Sequence, residues 1–409
     1  MFVSFLSFII KYCILIRKYF NYVEKKPKKQ REIVTLNTGI KQMSQKLVYE
    51  YYKDSTFNNC VTRQLQKDCI ALKAFDDTTR LSQDSLKFKT KVLCCYGCNK
   101  TTTSNHPVYV FSCKECGNLF QENRHLSRNL EGYTSLIIGA RAKLGHQIMI
   151  KLLKAGSTVV GTTRYPETAL NLFKEYPEFK EWQSRLFFYP ESFDLDVNNI
   201  KTIVADLNHY ISSRFGKLDI LVNSAAQTIR VREKNKETSF ECNRYGDAKF
   251  VHEKYINSWQ MRLPDLVQNE MEEVYRINAI APTILVQGLT DLMVKSENTP
   301  YIINIHAREG LLNVFKNSKH IHTNMAKSAL HMLTACLSSC NLKTQYGIRF
   351  SIHGICPGWL SVDEYYENNR PWVVPPLDEI DGAARALYPV FKELKSCLYT
   401  RRHFTKIIN

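Results

Sequence analysis

Two pairs of cysteines and one glycine loop carry the chemistry that stands out in this chain. Cys95-Tyr-Gly-Cys98 and Cys113-Lys-Glu-Cys116 are C-x-x-C pairs separated by fourteen residues. Each pair can turn its backbone so that two thiolates meet one ion, and two such turns complete a tetrahedral sulfur shell. Gly117 follows the second pair and suits the tight turn of such a knuckle, while Cys94 adjoins the first pair as a competing ligand. Four thiolates leave no open coordination position, so the expected metal is a structural zinc. Further on, an apolar run ends in Gly139-Ala-Arg141-Ala-Lys143-Leu144-Gly145. Gly139 permits a tight turn, and Gly145 lets a helix approach the strand closely. The helix N-terminus then faces a pyrophosphate, with the Lys143 ammonium in reach of a phosphate.

These groups need a scaffold, and the hydrophobic pattern supplies one from Tyr133 onward. Strands are predicted at Thr134–Ile138, Thr158–Thr163, Arg185–Tyr189, Leu218–Asn223, Tyr301–Ile305 and Ile348–Gly354. Helices are predicted at Leu144–Lys154 (closed by Gly156), Val197–Phe215, from Glu270 through Asn278, and at Thr323–Ser339. Alternation of strands and helices of this kind gives an α/β fold with a doubly wound parallel sheet, a Rossmann fold, whose ligands bind at the carboxyl ends of the strands. The expected domains are a basic N-terminal extension over 1–90 and a zinc-ribbon-like segment over 91–132. The Rossmann domain follows over 133–391, then a C-terminal tail over 392–409. The second predicted strand ends in Thr162-Thr163-Arg164, with no acid for ribose hydroxyls and a base suited to a 2′-phosphate. NADP is therefore the expected cofactor, with NAD the alternative.

The order of these motifs resembles the short-chain dehydrogenase/reductase family. Its phosphate-loop fingerprint is T-G-x-x-x-G-x-G, with Ile138 and Lys143 here replacing the Thr and the middle Gly. Asp194-Leu195 resembles the family's adenine-contacting Asp, Asn223-Ser-Ala225-Ala its N-N-A-G turn, and Pro357-Gly358 its P-G turn beside the nicotinamide. A subgroup with C-x-x-C pairs before the fold is closer still. It is matched over about residues 91–391 by Thr162-Thr-Arg-Tyr-Pro166, Gln227-Thr-Ile-Arg230, Asn257-Ser-Trp259, His322-Thr-Asn-Met-Ala-Lys327 and the segment Pro376 to Arg385.

The resemblance implies hydride transfer to or from a small carbonyl or alcohol. It assigns Lys327 as the ribose-binding lysine and Asn278 as the water-positioning asparagine. The catalytic Tyr position, four residues before Lys327, is Thr323, and the catalytic Ser position falls at or near His306. An aliphatic hydroxyl ionises far above the tyrosine value of about 10, so Thr323 is no comparable acid. His306 is the expected substitute donor, since an unperturbed imidazole titrates near 6.5. The alternative function is a catalytically impaired NAD(P)-binding pseudoenzyme acting as a protein-interaction module.

Composition narrows the rest. The 409 residues are 44% hydrophobic and 11% aromatic, enough to bury a sizeable core. Of the net charge of +17, residues 1–130 hold +12, peaking at Lys25, Lys26, Lys28, Lys29 and Arg31. A run of that kind is a solvated tail, and without an aromatic-and-basic stripe nucleic acid is not an expected partner. A small-molecule substrate and, from the resemblance, a second copy of the chain are. Thirteen cysteines without a disulfide framework fit a cytoplasmic protein. The apolar run of residues 1–20 is broken at Lys11 and falls short of a span, so an organellar or membrane-associated location is the alternative. The polar stretch Arg230–Glu253 is expected to overhang the site.

Overall fold

The computed structural model describes residues 93–227, 231–232, 256–257, 259, 261–312, 314, 316–339, 350–360, 375–394 and 397–400. The N-terminal extension and most of the Arg230–Glu253 stretch lie outside the described residues. Two compact units separate. The smaller takes in 93–95 and 99–114, and the larger takes in 96–98, the described residues from 115 to 360, 376–394 and 397–400.

In the smaller unit, Leu93–Cys94 and Thr101–Thr102 pair as a short antiparallel ribbon. His106 Nδ1 accepts the backbone N–H groups of Val108 and Tyr109 at 3.1 and 3.0 Å, which fixes the loop that leads to Cys113.

The larger unit is built on seven parallel strands: β1 (Thr134–Ile138), β2 (Thr158–Thr162), β3 (Leu186–Phe188), β4 (Ile220–Asn223), β5 (Tyr301–Ile305), β6 (Ser351–Ile355) and β7 (Cys397–Thr400). Their spatial order is β7-β6-β5-β4-β1-β2-β3, the doubly wound arrangement that reverses direction at β1. The helices are α1 (Lys114–His125), α2 (Lys143–Lys154), α3 (Pro166–Lys174), α4 (Ile200–Phe215), α5 (Gln268–Tyr275), α6 (Ala281–Val294), α7 (Ile321–Ser339) and α8 (Glu379–Phe391). Both faces of the sheet are covered, which is why Leu136–Ile138 of β1 are apolar on both sides, while the buried Ser135 hydroxyl is satisfied by Ser157 Oγ at 2.7 Å. Ile137 packs with α2, α3 and α8 through Ile148, Phe173 and Leu387. Its neighbours Leu136 and Ile138 pack on the opposite face with α4 and α6, through Leu207 and Leu285.

The expected Rossmann fold is thus present, with three differences in detail. The sheet does not stop at β6, because the segment expected to be a tail after Phe391 adds β7 beside it. The helix beginning near Glu270 is not regular: Arg276–Ile280 forms one π-helical turn between α5 and α6. And of the segment expected to be zinc-ribbon-like over 91–132, α1 from Glu115 onward falls in the larger unit.

A buried ion triad ties α1 to that unit. Arg124 Nη1 donates to Asp378 Oδ1 at 2.7 Å and to Asp381 Oδ1 at 2.8 Å. The same carboxylates cap α8, since Asp381 N–H donates to Asp378 Oδ1 and Asp378 N–H to Asp381 Oδ2. Two carboxylates on one guanidinium, each also holding a backbone donor, offset the cost of burying all three charges. Arg124→Ala leaves both acids without their cation. We expect it to lower unfolding stability by about 3–5 kcal/mol, measured by urea denaturation.

Candidate nucleotide and metal sites

At the carboxyl end of β1 three backbone segments converge. Gly139 has φ +85° and Lys143 φ +52°, so the loop turns left-handed twice. A Cβ on Gly139 would lie 2.8 Å from the Ala225 Cα, and one on Gly145 only 2.0 Å from the Gly139 carbonyl oxygen. Both glycines are therefore required by close approach. Lys143 is different: it stands where the fingerprint has glycine and keeps a glycine-like backbone, with its side chain exposed. The loop is laced to its neighbours by the N–H groups of Gly139 and Ala140, which donate to Thr162 O, and those of Ser224 and Ala225, which donate to Ile138 O.

The first turn of α2 fits a phosphate. Ala142 precedes it in extended conformation with no side-chain cap, and its first turn holds no acid. The amides that a capping side chain would occupy point at the end of β1, where the dipole favours an anion. Leu144 is half-buried against the core below. Beyond β2, Arg141 and Arg164 converge on one ring: their guanidinium carbons lie 5.0 and 5.7 Å from the centroid of the half-exposed Tyr165. Two cations around one exposed ring beyond β2 suit an anionic group there.

Asp194 is half-buried and turns its Oδ1 onto the Asp196 N–H at 3.0 Å, while Leu195 points into the core. Asp196, which the motif reading did not single out, pairs with Arg276 at 2.5 Å and so joins this loop to the π turn. That pair raises the Arg276 pKa further. Asn223 is turned inward: its Nδ2 donates to Asn304 Oδ1 at 2.8 Å, and Asn304 Nδ2 donates to Thr334 Oγ1 at 2.9 Å.

The residues assigned to catalysis separate into two groups. Asn278 sits in the π turn, and its Nδ2 donates both to Gln227 O at 2.8 Å and back to Val274 O of α5 at 2.9 Å. π turns recur at functional sites. Thr323 and Lys327 lie one turn apart on α7 and are both buried. The Thr323 hydroxyl has no hydrogen-bond partner among the described residues. Lys327 Nζ donates to Ile305 O at 3.1 Å, at the end of β5. Burial pulls the Lys327 pKa down to about 8, with Glu309 opposing the shift.

His306 lies near Lys327 but is tied up by other partners. It is 1% exposed, its Nε2 shares a hydrogen bond with Thr334 Oγ1 at 2.8 Å, and the His331 ring meets it edge-on at 3.8 Å. Burial first, then His331 and Lys327, hold its pKa well below 6.5. The imidazole is therefore neutral at neutral pH and engaged with α7. Sequence spacing missed this because the residue's position at a strand end says nothing of which helix receives its ring.

Gly358, with φ +93°, makes the turn after β6 expected at Pro357-Gly358. The four sulfurs of Cys95, Cys98, Cys113 and Cys116 lie within 4.8 Å of one another, and the Cys113 N–H donates to Cys95 Sγ at 3.1 Å. Four clustered thiols of this kind, three of them buried, fit a tetrahedral metal ion.

The family profile described as short chain dehydrogenase matches residues 134–252. An uncharacterized protein of Acanthamoeba polyphaga mimivirus is 37% identical over 350 residues, covering 75% of this chain and 73% of that protein. The (-)-isopiperitenone reductase of Mentha piperita is 28% identical over 194 residues, 45% of this chain and 59% of that enzyme. Among solved structures, a short chain dehydrogenase from Burkholderia cenocepacia in complex with NADP superposes with a TM-score of 0.49 at 16% identity. That match covers 68% of this chain and 99% of the other.

A half-buried histidine on α7 and a buried one in β6 make stability depend on pH. Burial lowers the pKa of His331 and of His353 to about 4 in each case. The unfolded chain takes up those protons near 6.5, so the contribution is complete above that pH and is lost as pH falls through 4. The urea midpoint is expected to drop between pH 6.5 and 4, and His331→Gln combined with His353→Gln to flatten that slope.

Proposed function

The chain belongs to the short-chain dehydrogenase/reductase family, and we propose that it acts as an NADP-dependent oxidoreductase on a small carbonyl or alcohol. The observation that carries the cofactor assignment is the convergence of Arg141 and Arg164 on Tyr165 beside a capless helix N-terminus. Gly139, Lys143, Leu144 and Gly145 would cradle the pyrophosphate, the two arginines the 2′-phosphate, Asp194-Leu195 the adenine. Ala225, Pro357 and Gly358 would line the nicotinamide half, with Lys327 toward its ribose and Asn223 beneath it, turned inward onto Asn304. A reductase name among the relatives supports the reaction class. Bound NADPH supplies or NADP accepts the hydride.

The protein's own part is to place the substrate oxygen and move one proton. Thr323 offers a buried hydroxyl without an internal partner, able to hold a substrate oxygen. The geometry favours Lys327 over His306 as the proton source. An ammonium with a pKa of about 8 is largely protonated at neutral pH yet acidic enough to donate, and it lies one helical turn from Thr323. A neutral imidazole bonded to Thr334 meets neither condition. Asn278 remains on the site side through the π turn. The cysteine cluster would hold one structural zinc, closed to substrate.

The second reading, a nucleotide-binding protein without turnover, is favoured by one observation, the threonine where the family's proton donor stands. It predicts cofactor binding without hydride exchange. Titration of the purified chain with NADPH and NADH decides the cofactor. NADPH is expected to bind more tightly, and Arg164→Ala to cost about tenfold in NADPH affinity with NADH unaffected. Equal affinity for both cofactors in the wild type would remove the 2′-phosphate assignment. With a turned-over substrate, Lys327→Met should abolish activity and His306→Ala should leave most of it. The opposite pattern would restore the histidine as donor.

A further inference from the structure

Tyr96 has no part in the assignments above, although it stands inside the first cysteine pair. Its hydroxyl accepts the backbone N–H of Trp359 at 2.9 Å. Trp359 directly follows the Pro357-Gly358 turn at the carboxyl end of β6. The tyrosine also packs on that turn: a Cβ on Gly358 would lie 3.1 Å from Tyr96 Oη and 2.7 Å from Leu377 Cδ1. No side chain larger than hydrogen fits there without pushing the tyrosine away.

The far side of Tyr96 is equally constrained. A Cβ on its neighbour Gly97 would come within 2.7 Å of Cys116 Sγ and 3.2 Å of Phe120 Cζ. Phe120, on α1, carries the Arg385 guanidinium 5.2 Å from its ring centroid. Arg385 belongs to α8, the helix that Arg124 fastens to α1. The turn after β6 is thus held between a metal-binding knuckle and a helix, and the tyrosine hydroxyl makes the polar contact.

We propose that Tyr96 is a positioning residue that holds the Pro357-Gly358-Trp359 turn in the shape that receives the nicotinamide end of the cofactor, so that the cysteine cluster and the cofactor site are coupled. This rests on the cofactor reading given under the proposed function. A left-handed turn such as that at Gly358 has other conformations open to it, and the hydrogen bond from Trp359 to a fixed acceptor selects among them. Without it, binding must order the turn itself, and affinity falls.

The test compares NADPH binding to the full chain, zinc-loaded, in the wild type and in Tyr96→Phe, together with hydrogen exchange at the Trp359 amide. Tyr96→Phe keeps the ring and removes only the hydroxyl. We expect its zinc content and melting temperature to stay near wild type, its NADPH Kd to rise about three- to tenfold, and its Trp359 amide to exchange faster. Wild-type binding with an unchanged Kd and unchanged exchange in Tyr96→Phe would overturn the tyrosine's role and leave the cofactor reading standing. A wild type that binds neither NADPH nor NADH would overturn the cofactor reading, and this proposal with it. Should Tyr96→Phe fail to fold, the wild type alone decides. Stripping zinc with a chelator is expected to speed Trp359 exchange and weaken NADPH, and no change in either would refute the coupling.

Discussion

The structure depends first on how closely backbone can approach backbone at the end of β1. With Gly145 stacked on the Gly139 carbonyl and Gly139 against Ala225, there is no room for a single extra carbon at either glycine. That contact sets the angle at which α2 leaves the sheet, and so aims the uncapped amides of its first turn. The same spot is where the strand order reverses, so the crevice opens between loops that run to opposite sides. Lys143 shows how much of this geometry is backbone and how little is residue type. A lysine has been accommodated in a left-handed position because the turn around it is fixed by its neighbours.

Around that fixed point the reactive groups divide by burial. Lys327 and Thr323 share one helix face, and Asn278 is brought toward them by an irregular turn. His306, Thr334, Asn304 and Asn223 form a different structure, a continuous polar chain behind the strand ends. Such a chain gives each of these buried side chains at least one partner in an apolar layer, and it joins β4, β5 and α7. It supports the site from beneath.

The sequence made the sheet legible because strands buried on both faces concentrate apolar and β-branched residues, and β1, β2 and β5 were placed to within a residue. The glycine loop and the cysteine pairs were legible for another reason, since their spacing is a direct requirement of geometry. What stayed hidden depends on partners far away in sequence. The π turn at Asn278 has no local signature. β7, only four residues long, is too short to be told from a tail until β6 is known to need a neighbour. Tyr165, Asp196 and Arg276 look like ordinary surface residues until Arg141 is seen on one and the other two on each other. The ring of His306 could be assigned to the site from its position at a strand end, and only the fold shows it facing α7.

The buried triad of Arg124 with Asp378 and Asp381 also carries a consequence for the order of events during synthesis. The arginine leaves the ribosome 254 residues before the first of its carboxylates. At roughly 5–20 residues per second this is a wait of about 13 to 50 s. During that interval a desolvated guanidinium would have no counter-charge, so α1 has to remain hydrated. The early strands can pair with one another meanwhile, but the helix that follows the cysteine pairs docks only when the end of the chain arrives. Nascent chains halted before residue 378 would then carry a formed β1–β5 sheet beside an α1 still open to protease.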